Sequence, residues 1–464
     1  MQRVAAKLVS RLDLLVVSVA LGIALVPPIF LHVPYNDEWL RINYLADHSV
    51  WNWMVMHCQT WVVRPTAELI MAGTELPLTR PAMGSDFTAH AFLTRLHASY
   101  LAMAAMVMAL LYMIGVAAAG GARSLAFVTL TFGLLLICVS QSSGLGYAFF
   151  WRDGYGNVVF PFLCLALGLA LMTRGRLGSY FGMGMLVIAA LGHEVECIFV
   201  TGFAGLQLFA RGRRSRTELL LSALLLAAGG AILYAQILSP GPLLRADVLQ
   251  AKSGARYNVA GMWQALELIE PKRWIATYLA GLLAIALYGE RLQTLLGRAC
   301  SDARRHRPYW LLLSAGALLT SFVPLASIGL KKPARTIAVT GGGYYTVAML
   351  FFVILGAVAS APLLVGVVQP WTARYRRTVG SLVPLLLLLC VTSSNWTGYR
   401  TALLNFSTLN QEAEAYMNQL FAGGDRVRVC RPTHPFSMPV STMTTRNAAQ
   451  YFGIRKLKEV SCGP

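Results

Sequence analysis

Two adjacent carboxylates, Asp37 and Glu38, stand in the run Tyr35-Asn36-Asp37-Glu38-Trp39, directly after a long apolar stretch. Acids at the edge of such a stretch are costly unless they are solvated, paired or used. Either they cap a helix start as ordinary loop acids, or one of them is poised as a general base, the role carboxylates take once their surroundings tune the pKa. A second group is Gly192-His193-Glu194-Val195-Glu196, which interrupts an apolar run. It lacks the second His one turn later that the zinc-protease H-E-x-x-H pattern requires. His193 and Glu194 therefore read as a hydrogen-bonded pair needing cations or hydroxyls in a cavity, and so as substrate-binding candidates. A third group is basic: Lys331-Lys332-Pro333-Ala334-Arg335, followed by Gly341-Gly342-Gly343-Tyr344-Tyr345. Arg grips phosphate bidentately and Lys as a point charge, and glycines let backbone approach a ligand closely. Lys331, Lys332, Arg335 and Tyr345 are the candidates there. Arg64, in Trp61-Val62-Val63-Arg64-Pro65, sits in apolar company and is expected to face inward to an anion. Arg152, beside Asp153, is either a local charge match or a substrate contact. The tryptophans at 51, 53 and 61 read as interfacial anchors.

The elements that must hold these groups are apolar. The chain has 464 residues, 56% hydrophobic and only 13% charged, against about 25% charged for a soluble domain. Apolar runs recur at close to the ~20 residues a helix needs to cross a bilayer, and in lipid such runs must be helical. The expected spans are Leu14 to Val33, Leu96 to Ala117, Leu125 to Ser142, Val158 to Met172, Tyr180 to Ala210 as two short spans meeting at the His193-Glu194 turn, Leu219 to Leu238, Trp274 to Tyr288, Tyr309 to Leu330, Tyr345 to Val368 and Leu382 to Thr392. This predicts an all-α polytopic membrane protein of about eleven spans, with the first run an uncleaved anchor rather than a signal peptide. The net charge of +19 comes from short basic clusters between the spans, such as Arg211, Arg213, Arg214 and Arg216. That is a topology signal and not a nucleic-acid groove. It predicts a multi-pass protein of the cell (inner) membrane, N-terminus cytoplasmic and C-terminus outside. The first outer loop would run over 34–95.

Two domains are expected: a transmembrane part over 1–395 and a small extracytoplasmic α/β appendage over 396–464. In the appendage, Leu404 to Phe421 and Thr444 to Phe452 read as helices and Val427 to Val429 as a strand. The piece is too small to hold a large core alone. Two of the eight cysteines, Cys430 and Cys462, lie in this tail, where a disulfide between them would persist outside the cell.

Asn36-Asp37-Glu38-Trp39 after the first span, Trp61-Val62-Val63-Arg64-Pro65, the Gly192-His193-Glu194 turn between short spans, and Pro333-Ala334-Arg335 before a span occur in the order seen in GT-C membrane glycosyltransferases. The chain resembles that class, most of all its bacterial O-antigen glucosyltransferase-like branch. The resemblance implies a GT-C-like fold and transfer of a sugar from a polyprenyl-phosphate donor to a glycan or lipid-linked acceptor at the outer face. By it Asp37 would be the catalytic base, Glu38 its neighbour or substitute, Arg335 a contact to the donor phosphate, and Glu194 a residue that binds the acceptor or orients sugar hydroxyls. Some families of the class use a divalent metal and others do not, and no ligand set in the sequence decides. Two rival functions share these residues: a transporter or flippase for a lipid-linked anion, which would show internal pseudo-symmetry, and an O-antigen ligase or polymerase, which concentrates its key residues in one large late loop.

Overall fold

The computed structural model describes residues 29–119, 154–172, 174–209, 216–244, 247, 259–267, 274–279, 281–282, 308–324, 326, 348–360, 363, 404–431 and 442–461. These are mostly helical, with one small two-stranded sheet.

The expected outer loop over 34–95 is largely helical. Pro34 and Tyr35 are non-helical, with Tyr35 extended at φ −125°, and α1 starts behind them as Asn36–Leu45. The carboxylate of Glu38 reaches back to accept the Tyr35 amide at 2.7 Å. This satisfies one of the donors a helix start leaves orphaned. Asp37 and Glu38 both lie in this first turn, where the helix dipole favours negative charge. Helix α2, Val50–Thr60, is capped by Ser49, whose side chain accepts from the Asn52 amide. Helix α3, Pro65–Glu75, begins with proline at N1, where the missing N–H removes no helical bond.

Behind this layer stands α4, Ala89–Ala119. Next come a π-helical turn at Tyr155–Val159, α5 (Phe160–Leu171), α6 (Gly175–Ala190), α7 (Glu194–Phe209), α8 (Arg216–Leu238) and α9 (Val259–Glu267). Two further apolar helices are α10, Pro308–Thr320, and α11, Ala348–Ser360. Two stretches, Ala89–Ala117 and Leu219–Leu244, are long and apolar enough to cross a membrane. Four shorter apolar helices, Tyr155–Leu171, Leu177–Ala190, Pro308–Thr320 and Ala348–Ser360, are seen among the described residues. Of the eleven expected crossings, two are matched by full-length apolar helices among the described residues. The spans proposed at Leu14 to Val33, Leu125 to Ser142 and Leu382 to Thr392 lie largely or wholly outside the described residues. On α8, Leu219, Leu220, Leu224, Tyr234, Ile237 and Leu238 are all exposed. A bare apolar surface of this kind is an aggregation hazard in water and a match for lipid.

Between α6 and α7 the chain breaks at Leu191-Gly192-His193, where the sequence predicts a turn. Gly192 is required there because a Cβ would lie 2.5 Å from Cγ of Pro161 on α5.

The tail follows its expected order: α12 (Phe406–Ala422), β1 (Arg426–Arg431) and α13 (Thr442–Phe452). A second strand, β2 (Lys456–Ser461), pairs parallel to β1. The tail does not stand apart. Its α13 packs on α1 and its α12 on α4. Trp39, fully buried, sits among Phe92 (5.6 Å between ring centroids), Tyr451 (5.1 Å) and Phe452 (5.4 Å). Tyr451 donates to the Leu78 carbonyl at 2.7 Å, and the Asn43 amide donates to the Asn447 carbonyl at 2.8 Å. Such aromatic pairs add about 0.5–1.5 kcal/mol each beyond their buried area.

Candidate functional site

Asp37 and Arg41 are one helical turn apart on α1, so their side chains share a face. Arg41 is buried and bound to Glu75 on α3 through Nε (2.6 Å) and one terminal nitrogen (3.2 Å), with Glu68 3.7 Å from the other. Glu68, also on α3 and buried, accepts the Trp53 indole N–H at 2.8 Å and lies 3.0 Å from Nδ1 of His57. Trp53 and His57 are one turn apart on α2, rings stacked at 5.2 Å. Three short helices thus converge on one charged cluster, and the half-buried Asp37 is at its edge.

The two acids in this cluster are pushed in opposite directions. Burial raises the Asp37 carboxyl above the ordinary aspartate range. Arg41 and His57 oppose that, while the charges of Glu68 and Glu38 reinforce it. Burial alone would also raise Glu68, but the hydrogen bond and charge of His57, the charge of Arg41 and the Trp53 indole outweigh it and hold Glu68 low. Neighbouring carboxyls with diverging pKa values are the pattern of an acid–base site. Asp37 is suited to take up a proton, and Glu68 to remain a fixed negative charge.

Glu38 has a different part. It is fully buried, with one oxygen accepting from Tyr100 (2.6 Å) and the other from the Tyr35 amide and Nε2 of His32 (3.1 Å). This corrects the expectation of a substitute base: the carboxylate ties α1 to α4 and is shut off from solvent.

A second cluster shares α3. Arg64, its N-cap, donates to one carboxylate oxygen of Glu194 from Nε (2.9 Å) and a terminal nitrogen (2.6 Å), and to the Asn157 side chain at 3.1 Å. Asn157 lies in the π-helical turn, a distortion often found at functional positions. Glu194 opens α7, and the buried His193 before it lies 3.7 Å from Glu194 and 3.2 Å from the buried Glu196. The expected inward-facing Arg64 is found, and the anion it meets is Glu194. Of the tryptophans expected to be interfacial anchors, Trp51 and Trp61 are exposed, whereas Trp53 is buried as the donor to Glu68.

No family model, no curated protein and no solved structure matches the chain. The function therefore has to be read from these two clusters. Arg152, Lys331, Lys332, Arg335 and Tyr345 lie outside the described residues, as does Cys462. Cys430 is disulfide-bonded. Arg41, His57, Glu68, Glu75 and Asn157 also carry the clusters without a sequence motif to mark them, and Trp53 does so although its sequence context reads as an interfacial anchor. The signal for some of them is helical spacing: Asp37 to Arg41, Trp53 to His57 and Arg64 to Glu68 are each one turn apart. Among the described residues no three His, Cys, Asp or Glu side chains gather to hold an ion, and Glu75, Glu194 and Glu68 are matched to Arg41, Arg64 and His57.

Proposed function

We propose that the chain is a multi-pass glycosyltransferase of the cell membrane, GT-C-like, that moves a sugar from a polyprenyl-phosphate donor to a glycan or lipid-linked acceptor at the outer face. The observation carrying this reading is Asp37: a half-buried residue whose carboxyl is raised by desolvation against the pull of Arg41 and His57, joined to a framework that includes two long apolar helices. In the proposed reaction Asp37 accepts the proton of an acceptor hydroxyl as that oxygen attacks the anomeric carbon. The bond from that carbon to the donor phosphate breaks, and the phosphate leaves with the electron pair. The cations of the Lys331–Arg335 loop meet its growing charge, and stabilising charge as it develops is usually the larger contribution. Arg41, held in place by Glu75 and Glu68, opposes the rise of the Asp37 carboxyl, and the Arg64–Glu194 pair fixes the floor on which acceptor hydroxyls rest.

The alternative is a transporter of a lipid-linked anion, favoured by the ion-paired break between two short apolar helices, since broken helices that expose polar groups line many transport sites. One experiment separates the two. Asp37→Asn, expressed to wild-type level, is assayed for sugar transfer from polyprenyl-phosphate donors in membranes. A transferase loses about 10²–10⁴-fold; unchanged transfer removes Asp37 from the role, and carrier movement without transfer favours transport.

A further inference from the structure

Arg431 is fully buried at the end of β1, nearly four hundred residues after the turn it touches. Its guanidinium donates to the Pro34 carbonyl at 3.2 Å and to that of Val33 at 3.5 Å. It also packs 5.5 Å from the Tyr35 ring centroid and 5.7 Å from that of Tyr416. Its charge is answered within the tail by Glu459, 3.7 Å away on β2, which Tyr416 and Thr445 also hydrogen-bond. One terminal nitrogen of this buried guanidinium serves both carbonyls while the other faces Tyr416 and Glu459, so its removal would leave the carbonyls without this donor and the Glu459 charge without its countercharge. Val33, Pro34 and Tyr35 are the three residues that set where α1 begins, and Asp37 is in its first turn. Tyr35 is held from two sides, its amide by Glu38 and its ring by Arg431.

We propose that Arg431 is the positioning residue for Asp37: the C-terminal appendage is a clamp that fixes the turn on which the reactive carboxylate is mounted. The idea that Asp37 is reactive rests on the transferase reading above; the clamp itself does not. The adjacent Cys430 is disulfide-bonded, which anchors the strand that delivers the guanidinium. A flexible tail would let the turn relax toward solvent, and a misplacement of about 1 Å at a reacting group lowers turnover about 10²-fold.

The test reads Asp37 directly in the full-length protein. The pH dependence of carbodiimide labelling at Asp37 is followed by mass spectrometry in wild type, Arg431→Lys and Tyr35→Leu, with exposed Arg428→Gln on the same strand as control. Arg41, Glu38, His57 and Glu68, the charged groups facing Asp37 from α1, α2 and α3, are unchanged in all four. Arg431→Lys keeps a positive charge, but its single nitrogen on a shorter stem cannot both face Glu459 and reach the Val33 and Pro34 carbonyls, which the guanidinium does with two nitrogens, and Tyr35→Leu leaves the tail's own core intact. Both are expected to shift the labelling midpoint toward the ordinary aspartate range, and Arg428→Gln to leave it in place. In a transfer assay Arg431→Lys should lower kcat about 10²-fold with KM nearly unchanged. A labelling midpoint identical to wild type in both variants overturns the clamp, whatever the transfer result. A shifted midpoint together with full transfer by Asp37→Asn leaves the clamp standing and removes the transferase.

Discussion

Arg64 and Glu194, 130 residues apart in the chain, meet in a two-pronged ion pair at 2.9 and 2.6 Å. The pair joins the N-terminus of α3 to the first residue of α7 and so staples the outer helical layer to the broken apolar helix. Removing one partner strands a largely desolvated charge, which costs about 3 kcal/mol, whereas removing both strands neither charge and costs only the Asn157 contact. Arg64→Met alone is therefore expected to destabilise more than Arg64→Met with Glu194→Leu, with a coupling energy of about 1–3 kcal/mol in a double-mutant cycle. Thermal unfolding in detergent measures it; simple additivity of the two substitutions would show that the pair does not hold the layers together.

Asp37 is expected to be a stability liability at neutral pH. Its carboxyl is raised in the folded chain by burial, so the native state holds that proton more tightly than the unfolded state. The stability it contributes is fully present below the ordinary aspartate range and falls as pH climbs through the raised value. Asp37→Asn should then melt higher than wild type at pH 7, the gap closing as pH drops below the ordinary range. A lower melting temperature for the variant at pH 7 would show that attraction to Arg41 and His57 outweighs burial. Gain of stability with loss of transfer is the trade expected where an active group is held in an unfavourable place.

Glu68 has the opposite sign. Its folded pKa is depressed, so its contribution is present above the ordinary glutamate range and is lost as pH falls through the depressed value. Trp53→Phe keeps the aromatic packing and deletes the 2.8 Å indole donor. A hydrogen bond to a charged group is worth about 2 kcal/mol. The variant should lose about that much at pH 7, and less once the solution is acidic enough to protonate Glu68. An equal loss at all pH values would assign Trp53 to packing alone.

Helix order and the break at Gly192 were legible because apolar runs and their interruptions are local. So was the tail's helix–strand–helix order, with boundaries off by a few residues, although Lys456–Ser461 was missed because charges dominate its exposed side. In the region 34–95 the aromatic residues all read alike in the sequence. Only the packing shows that Trp39 and Trp53 point inward while Trp51 points out. Asp37 could be nominated from position alone. The partners that tune the cluster, Glu68 and Glu75 to Arg41, are long-range pairings that a single sequence does not encode locally. The contact of Arg431 with Pro34, bridging the two ends of the chain, left no sequence signal at all.

The cysteines make a covalent prediction. Cys58, Cys164 and Cys197 are free thiols, whereas Cys430 is bridged. Non-reducing peptide mapping should yield one linked pair, Cys430 with Cys462, and alkylation without reductant should spare both. Cys430→Ser should cost about 3 kcal/mol, the usual worth of closing a loop of this size, with the loss concentrated in the tail and α1. A peptide linking Cys430 to any other cysteine would refute the pairing read from the sequence.

The last prediction concerns the apolar framework. A Cβ on Gly182 of α6 would lie 2.7 Å from the Gly168 carbonyl and 3.0 Å from the Met172 amide, and a Cβ on Gly168 of α5 would lie 2.8 Å from Leu186. Gly182 meets backbone as well as the Met172 side chain, so a rotamer change of Met172 alone cannot absorb a larger residue. Small residues that let helix backbones touch are a main source of helix association in lipid, where apolar side chains gain nothing from leaving their surroundings. Gly182→Leu is expected to separate α5 from α6 and destabilise the protein strongly. Gly184→Leu, on the same helix with nothing within 4 Å of its Cβ, should be nearly neutral. Because α5 carries the π-helical turn with Asn157 and α6 ends at His193, the first substitution should also weaken the Arg64–Glu194 contact, measurable as greater accessibility of Glu194 to carbodiimide. Equal tolerance of leucine at 182 and 184 would mean that the two helices are not held by this close approach.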